Sequence, residues 1–315
     1  MKKAIILAAG LGKRMKSDKP KVMHRILGKP MLEYVIESSK KAGIDKQIII
    51  VGNKKEEIID YFGNDLIYME QKKLLGTGDA IKSAVGQIDD SDTIIILCGD
   101  APCITSETLK KALLFHNSQD ISCTLLTAIV DNPYGYGRVI EHNGYVMEII
   151  EEKDANEKIG KIKSVNSGFY IFNGETIKES LSYLNDNNTQ REYYLTDTIS
   201  ILNNKLNKRV KSFRIDDPFE MTGINDRNRL SLVETTMLNN FKKELMISGV
   251  TLHLPETIYI EKDVIIEKDV EIYPNVTIQG KSIIHKGTII NAGSFIKDTN
   301  IEQNSYIKAN TKIDG

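Results

Sequence analysis

The chain has 315 residues, of which 42 are Lys or Arg and 43 are Asp or Glu, so its formal net charge is −1, and 41% of its residues are hydrophobic. This length predicts two domains of about 150 residues each, and the balanced charge gives no global reason to expect nucleic acid or an anionic membrane as a partner. No apolar stretch approaches the roughly 18 to 20 residues that span a bilayer, which excludes a transmembrane helix.

The cysteines and the amino terminus both predict a cytoplasmic protein. The chain has an odd number of cysteines, Cys98, Cys103 and Cys123, and no two of them form a C-x-x-C pair. This argues against a disulfide framework or a structural zinc site and favours free thiols in a reducing compartment. The first residues loosely resemble a secretory signal, but their apolar run is short, contains Gly10 and leads straight into a lysine-rich stretch. We therefore expect a mature cytoplasmic start.

Residues 1–225 alternate short apolar runs with amphipathic segments, which predicts an α/β domain with a mostly parallel sheet and helices on both faces. Runs that are apolar throughout predict strands buried on both faces, at residues 3–7, 47–51, 66–69, 93–97 and 122–130. Amphipathic patterns predict helices at residues 30–42, 55–62, 78–85 and 106–115, the last one capped by Thr105 or Ser106. Further strands are predicted at residues 138–141, 147–151 and 169–172.

The end of the chain carries a hexapeptide repeat. From Ile260 to Ile296 an isoleucine recurs every six residues and, after one step of five, it returns at Ile301, Ile307 and Ile313. A small or β-branched residue follows most of these isoleucines four positions later. The period predicts a parallel β-helix of roughly three to four coils, with the isoleucines inside and the small residues near the corners. A β-sandwich would instead space its strands by about 8 to 12 residues.

These patterns divide the chain into three parts: residues 1–225, a linker helix within residues 226–249, and a partial β-helix at residues 250–315. The last coil ends without a polar capping element, although the open end of a solenoid normally needs one. Two interpretations remain open: a partner covers this end, or the sequence is a piece of a longer protein.

The loop after the first strand is the first candidate site. Small residues at positions 8–10 and at Gly12 let the backbone approach a ligand, and Lys and Arg are concentrated between residues 13 and 29. Open α/β sheets bind ligands beyond the carboxyl ends of their strands, so a polyphosphate fits this loop. The loop does not match a dinucleotide-binding fingerprint, which needs Gly where Met15 stands, or a Walker P-loop, which needs Ser or Thr where Arg14 stands. The alternative that remains is a glycine-rich turn with a solvated basic loop and no ligand.

The stretch Leu7-Ala8-Ala9-Gly10-x-Gly12-x-Arg14-Met15, with Pro20-Lys21, resembles the signature of sugar-nucleotide pyrophosphorylases, and within them the N-acetylglucosamine-1-phosphate uridylyltransferases. The resemblance covers essentially the whole chain, because these enzymes have a Rossmann-like domain, a long connecting helix and a left-handed parallel β-helix. It implies synthesis of UDP-N-acetylglucosamine and pyrophosphate from UTP and N-acetylglucosamine 1-phosphate, for cell-wall precursors. In relatives with two activities, the later coils carry an acetyltransferase site. Since this sequence stops before them, we expect no acetyltransfer by this polypeptide.

The resemblance also implies roles for particular residues. The residues implied to contact the uracil and ribose are Leu7, Ala8, Ala9, Gly10, Gln71, Gly76 and Thr77. Arg14 and Lys21 would face the phosphates as catalytic residues, and a side-chain amide such as that of Gln71 can pair with both a carbonyl and an imide N–H. The positions implied to hold the amino sugar are Gly137, Glu151 and Asn166.

Asp100 and Asn225 match the family's magnesium ligands, and Asn225 is also counted with the substrate-binding residues. Mg²⁺ takes one or two protein oxygens together with substrate phosphates, so it is the expected cofactor. Two departures, Lys13 for a usual Thr and Cys98 for a usual aromatic residue, leave the sugar and base preference open. Glucose-1-phosphate uridylyl- or thymidylyltransfer, or a catalytically silent β-helix assembly protein, are the alternatives. Relatives assemble as trimers through the β-helix, which makes a homotrimer an expectation here.

Overall fold

The computed structural model describes residues 1–52 and 54–315, which form two compact units. The first comprises Met1–His24 and Met31–Asn225, and the second comprises Arg25–Pro30 and Asp226–Gly315. The strands before residue 226 are β1 (Lys2–Leu7), β2 (Arg25–Ile26), β3 (Lys29–Pro30), β4 (Lys46–Val51), β5 (Ile67–Glu70), β6 (Thr93–Cys98), β7 (Cys123–Ile129), β8 (Arg138–His142), β9 (Tyr145–Ile150), β10 (Ser164–Asn173) and β11 (Val210–Arg214). The helices are α1 (Met31–Lys41), α2 (Lys55–Phe62), α3 (Thr77–Lys82), α4 (Ser106–Ser118), α5 (Glu157–Gly160), α6 (Gly174–Ser182), α7 (Asp197–Asn204) and α8 (Arg227–Ile247). Among the described residues, no helix combines the length and the apolar character needed to cross a membrane.

The described part of the first unit is built on one sheet with the strand order β11-β7-β10-β6-β1-β4-β5, and β8 and β9 extend it from β10. β1 pairs in parallel with β4 and β6, and β7 pairs in parallel with β11. β10 runs antiparallel to its neighbours β6 and β7. The predicted mostly parallel sheet is confirmed, with β10 as a reversed strand inside it.

Helices cover both faces of this sheet. In β1, Ala4 and Ile6 belong to one core cluster, which includes residues of α1, α2 and α4. Ile5 belongs to a second cluster with residues of α3, α6 and α7. Because successive side chains of a strand point to opposite faces, a strand between two helical layers must be apolar throughout. This explains why the continuous runs of β1, β4 and β6 identify strands in the sequence.

The observed bounds of helices and strands agree with the predicted ones where the hydrophobic pattern is continuous, and differ from them where that pattern is interrupted. The helix predicted at residues 55–62 is α2, and Thr105 caps α4, since its Oγ1 accepts a hydrogen bond from the Thr108 N–H at 3.1 Å. β10 was expected to begin at residue 169 but begins at Ser164, because its register shifts between Asn166 and Tyr170. The helix predicted at residues 78–85 ends at Lys82, and α6, α7 and β11 were not predicted.

The second unit contains the predicted parallel β-helix. Its strands are β12 (Thr251–Leu252), β13 (Tyr259–Ile260), β14 (Ile265–Ile266), β15 (Glu271–Ile272), β16 (Thr277–Gln279), β17 (Ile283–Ile284), β18 (Ile289–Ile290), β19 (Phe295–Lys297), β20 (Asn300–Ile301), β21 (Tyr306–Ile307) and β22 (Lys312–Asp314). They form three parallel sheets, in the orders β12-β15-β18-β21, β13-β16-β19-β22 and β14-β17-β20. Ile260 pairs with Ile278, and Ile278 pairs with Ile296, so the recurring isoleucine lies above its counterpart in the previous coil. These side chains are buried, which confirms their predicted interior position.

The corners of the β-helix follow a second pattern that the prediction did not use. The third residue after most isoleucines has a positive φ, and it is an Asp, Asn or Gly. These are the residue types that tolerate the left-handed conformation. Examples are Asn275, Gly287 and Asn304, at φ values of 61°, 72° and 57°. The isoleucine period sets the sides of the coil, and these residues set its corners.

Candidate active site

A cleft of about 510 Å³ opens at the carboxyl ends of β1 and β6, which are neighbours in the sheet. Parallel strands end at the same edge, so residues that follow each strand meet there. The predicted site residues that line this cleft are Leu7, Ala8, Ala9, Gly10, Lys21, Gln71, Gly76, Thr77 and Asp100. The structure therefore brings most of the predicted nucleotide-binding residues together around one cavity.

The glycine-rich loop lies along one wall of the cleft. The Ala8 N–H donates to the Ile50 carbonyl at 2.9 Å, which ties the start of the loop to β4. An ideal Cβ at Gly10 would meet no atom of the described residues within 4 Å. Gly12 has a φ of +58°, and a Cβ there would lie 2.8 Å from Lys21 Cβ. A glycine at this position allows the Lys21 side chain to pass. Arg14 lies in the next short turn and is exposed, whereas its neighbour Lys13 lines the cleft.

Three predicted residues from distant parts of the chain meet at the cleft, which Lys21 and Asp100 line. The Lys21 ammonium donates a hydrogen bond to the Asp100 carboxylate and another, at 3.2 Å, to Asn225 Oδ1. The Ile224 N–H donates to the Asp100 carbonyl at 2.9 Å, which holds the loop that carries Asn225 beside the loop that carries Asp100. The side chains of Lys21 and Asp100 are only 15% and 18% exposed. Two side-chain oxygen atoms, one from Asp100 and one from Asn225, thus lie within reach of one cation.

The segment from Gln71 to α3 forms the opposite wall. Gln71 is buried, and its Nε2 donates to the Gly76 carbonyl at 3.0 Å and to Asp79 Oδ2 at 2.9 Å. Thr77 Oγ1 accepts from the Leu195 N–H at 3.0 Å, so the Thr77 side chain also anchors the segment that follows Tyr193. Asp79 contacts Gln71 at this site but was not predicted from the sequence, because nothing in its local pattern indicates this contact.

The residues predicted to hold the sugar form a second cluster. The Asn166 N–H donates to the Gly137 carbonyl at 2.9 Å, and a Cβ at Gly137 would lie 3.6 Å from Glu151 Oε2. The Thr196 hydroxyl donates to Glu151 Oε1 at 3.0 Å. Cys98, which lines the cleft, has its Sγ 3.6 Å from the Gly168 carbonyl, and the Gly168 N–H in turn donates to Asn166 Oδ1. The sugar cluster therefore adjoins the cleft through Cys98.

Several carboxyl groups lie close together in the sugar cluster, and the pKa values of two of them are raised. Burial raises the pKa of Glu151 above its usual range. Burial, together with the nearby charges of Glu151 and Asp154, raises the pKa of Asp197 to about 6. At Cys98, burial and the Asp100 charge raise the pKa of the thiol to about 12. This raised pKa favours the protonated, less reactive form of the Cys98 thiol near pH 7.

A buried arginine that was not predicted as a site residue supports the segments that carry the sugar cluster. Arg138 is 2% exposed, and its Nη2 lies 2.6 Å from Glu152 Oε2. Glu152 Oε2 also accepts from the Gly135 N–H at 2.9 Å. Arg138 follows Gly137 and Glu152 follows Glu151 in the chain, so this ion pair fixes the two segments from which those residues project.

The fold and the cleft define the class of protein. Residues 3–217 match the profile of the nucleotidyl transferase family, and residues 263–298 match that of the bacterial transferase hexapeptide, with six repeats. The chain belongs to the nucleotidyl transferase family.

Among curated proteins, the chain is similar to the bifunctional protein GlmU of Acetivibrio thermocellus, with 44% identity over 258 residues, or 81% of this chain and 56% of that protein. It is also similar to the bifunctional protein GlmU of Clostridioides difficile, with 43% identity over 251 residues, or 79% of this chain and 54% of that protein. The chain spans about half the length of the curated relatives it matches. A solved structure of UDP-glucose pyrophosphorylase complexed with UDP-glucose has a TM-score of 0.62 at 21% identity, covering 78% of this chain and 99% of that one, and this likeness shows the fold alone.

Proposed function

We propose that this chain transfers the uridylyl group of UTP to N-acetylglucosamine 1-phosphate, which yields UDP-N-acetylglucosamine and pyrophosphate. The observation that carries the proposal is the meeting of Lys21, Asp100 and Asn225 beside the glycine-rich loop and Gln71, which line one cleft together with Lys21 and Asp100. The similarity to bifunctional GlmU proteins supports this choice among nucleotidyl transferases.

The sugar phosphate is already an anionic nucleophile, so the reaction needs no general base. The obstacle is to bring two anions together in line, and catalysis of such a transfer consists of positioning and charge neutralisation. Lys21 lines the cleft, where its ammonium is suited to stabilise the α-phosphate. Arg14, in the same short turn as Lys13, is suited to approach the leaving pyrophosphate.

We also propose Mg²⁺ as the cofactor, held by Asp100 and Asn225. The fit rests on the donor set: a carboxylate oxygen and an amide oxygen both lie within reach of the single Lys21 ammonium, and Mg²⁺ prefers such hard oxygen ligands. When bound, the ion neutralises phosphate charge. A cation at these oxygens would compete with the Lys21 ammonium, which would leave Lys21 available for a phosphate.

The sugar cluster supports the choice of acceptor. The Gly137 backbone, the Asn166 amide and the Glu151 carboxylate offer both donors and acceptors to sugar hydroxyl and acetamido groups. The lack of a side chain at Gly137 is needed for this, since a Cβ there would lie 2.8 Å from Ile149 Cγ2 and would also approach Glu151 and Asn166.

Two further proposals concern the setting of the enzyme. The β-helix is a surface suited to association, and a homotrimer formed through it is proposed from the hexapeptide repeats. A cytoplasmic location is proposed because Cys98 and Cys123 form no disulfide among the described residues, as is usual in a reducing compartment.

A coupled pyrophosphate assay tests the function. UTP and dTTP are each combined with glucosamine 1-phosphate, N-acetylglucosamine 1-phosphate and glucose 1-phosphate, with Mg²⁺ or with EDTA. We expect the fastest Mg²⁺-dependent release from UTP with N-acetylglucosamine 1-phosphate. Faster release with glucose 1-phosphate or dTTP would favour the alternative transferases. Calorimetric binding of Mg-UTP without any turnover would instead indicate a silent assembly protein.

A further inference from the structure

The amide of Gln71 has its orientation set by two acceptors. Its Nε2 donates to Asp79 Oδ2 at 2.9 Å and to the Gly76 carbonyl at 3.0 Å. A carboxylate and a carbonyl only accept hydrogen bonds. If the amide were turned over, its Oε1 would face both of these oxygens, and the two hydrogen bonds would be replaced by repulsion. The orientation is therefore assigned by the surrounding network.

The backbone around this pair is fixed as well. The Gln71 N–H donates to the Val51 carbonyl at 2.8 Å, and the Gly78 N–H donates to the Tyr193 carbonyl at 2.7 Å. A Cβ at Gly76 would lie 2.6 Å from the Tyr193 carbonyl oxygen. Rotation about the end of the Gln71 side chain is thus the main remaining freedom, and Asp79 and the Gly76 carbonyl remove it.

This leaves one polar atom of the Gln71 side chain for a ligand. Gln71 lines the cleft, and within the described residues no donor is bonded to its Oε1. The Gln71 Oε1 can only accept a hydrogen bond, so it needs a donor on the ligand. The pyrimidine bases differ in whether their N3 atom is such a donor. Uracil and thymine carry an N3–H donor, whereas N3 of cytosine is an acceptor.

We propose that Asp79 is a specificity-determining positioning residue, which holds the Gln71 amide so that its carbonyl oxygen selects an imide-bearing base and rejects cytosine. This inference rests on the proposed nucleotide site and adds the source of its base selectivity. Asp79 acts through Gln71 and has no direct contact with the base. The selectivity comes from a carboxylate in the first turn of α3 that cannot donate a hydrogen bond.

The test compares UTP with CTP in the full chain. Asp79→Asn keeps the shape of the side chain, but its amide can either accept or donate, so the Gln71 amide is no longer held in one orientation. Asp79→Ala removes the partner altogether. Asp60→Asn, at an exposed position of α2, is the matched control for loss of one carboxylate. Binding of each Mg-nucleotide is measured by calorimetry, and turnover is measured by pyrophosphate release.

We expect both Asp79 variants to lower the ratio of UTP to CTP affinity by about tenfold, which is the effect of one charge-assisted hydrogen bond. The Asp60→Asn control should keep the ratio of the unmodified chain. Equal weakening of both nucleotides, or an unchanged ratio in a folded variant, would overturn the inference and leave the proposed activity intact. A ratio that depends on Asp79 in a chain that releases no pyrophosphate would support the inference and refute the activity. If Asp79→Asn does not fold, Asp79→Ala decides.

Discussion

The two units place their key residues in different ways. In the β-helix, position within a six-residue period determines the role of a side chain, so that Ile278 and Ile284 repeat one interior environment. In the first unit, Lys21 meets Asp100 and Asn225 only because the sheet topology brings three separate loops to one edge. The β-helix is thus specified by a local sequence pattern, and the cleft by the topology of the whole sheet. Substitutions should accordingly affect stability in the first case and chemistry in the second.

The largest effect is expected in the cleft. Lys21→Ala and Asp100→Ala should each lower turnover by about 10² to 10³, the usual cost of removing one group that stabilises transition-state charge. Unfolding midpoints should show that both variants remain folded. Lys19→Ala, at an exposed position of the same basic loop, is the control and should retain near-normal turnover. Near-normal pyrophosphate release from either purified cleft variant would contradict the assignment.

In the β-helix the expected effect is on stability. Ile284→Ala should reduce the free energy of unfolding by about 2 to 5 kcal/mol, because it opens a cavity in the stacked interior. Ile265→Ala is the matched control, since Ile265 lies on the same side of the β-helix in the preceding coil but is 57% exposed. It should cost less than about 1 kcal/mol. Urea unfolding monitored on the second unit measures both, and equal losses would contradict the interior role of the recurring isoleucine.

A smaller loss is expected at the corners. Gly287 has a φ of +72°, and a Cβ there would lie 2.3 Å from Asn304 Oδ1 in the next coil. Gly287→Ala should cost about 1 to 2 kcal/mol from the left-handed conformation alone, and more from the close contact. The double variant Gly287→Ala with Asn304→Gly separates the two causes. It should recover only the part due to contact, and full recovery would show that the backbone conformation contributes nothing.

The smallest effect concerns the pH dependence of stability. Burial and the charges of Glu151 and Asp154 raise the pKa of Asp197 from 3.8 to about 6. Between these values the folded state holds a proton that the unfolded state releases, so this group's contribution to stability falls as pH rises through that window. Asp197→Asn should flatten the slope and raise stability at pH 7. Urea midpoints at pH 4.5, 5.5 and 7 measure this, with exposed Asp120→Asn as the control. An unchanged slope in Asp197→Asn would contradict the role of burial there.

The parts of the fold that were predicted correctly have signals that repeat within a few residues. Continuous apolar runs gave β1 and β6, the amphipathic pattern gave α2, and the isoleucine period gave the three sheets of the β-helix. The first part of β10 was missed because the positive φ of Gly168 and a shifted register interrupt its pattern. Burial of a mixed sequence such as α7 depends on tertiary packing, which no local pattern contains.

The candidate site likewise has residues that motifs in the sequence identify and contacts that only the folded structure shows. Resemblance to known motifs supplied Lys21, Asp100, Asn225 and Gln71 as candidates. The resemblance could not predict that the Lys21 ammonium contacts the side-chain oxygens of both Asp100 and Asn225, since Lys21 and Asn225 are 204 residues apart in the chain. The hydrogen bond from Gln71 to Asp79 and the buried Arg138–Glu152 pair are contacts of the same kind. Such pairs follow from the folded topology and not from the spacing of residues.

A crystal structure of the chain with Mg²⁺ and UDP-N-acetylglucosamine would test the whole proposed site at once. We expect uracil beside Gln71, the diphosphate next to Lys21, the ion on the oxygens of Asp100 and Asn225, and the sugar against Gly137, Glu151 and Asn166. A nucleotide sugar bound outside this cleft, or an ion held by other residues while Lys21 stays on Asp100, would contradict it.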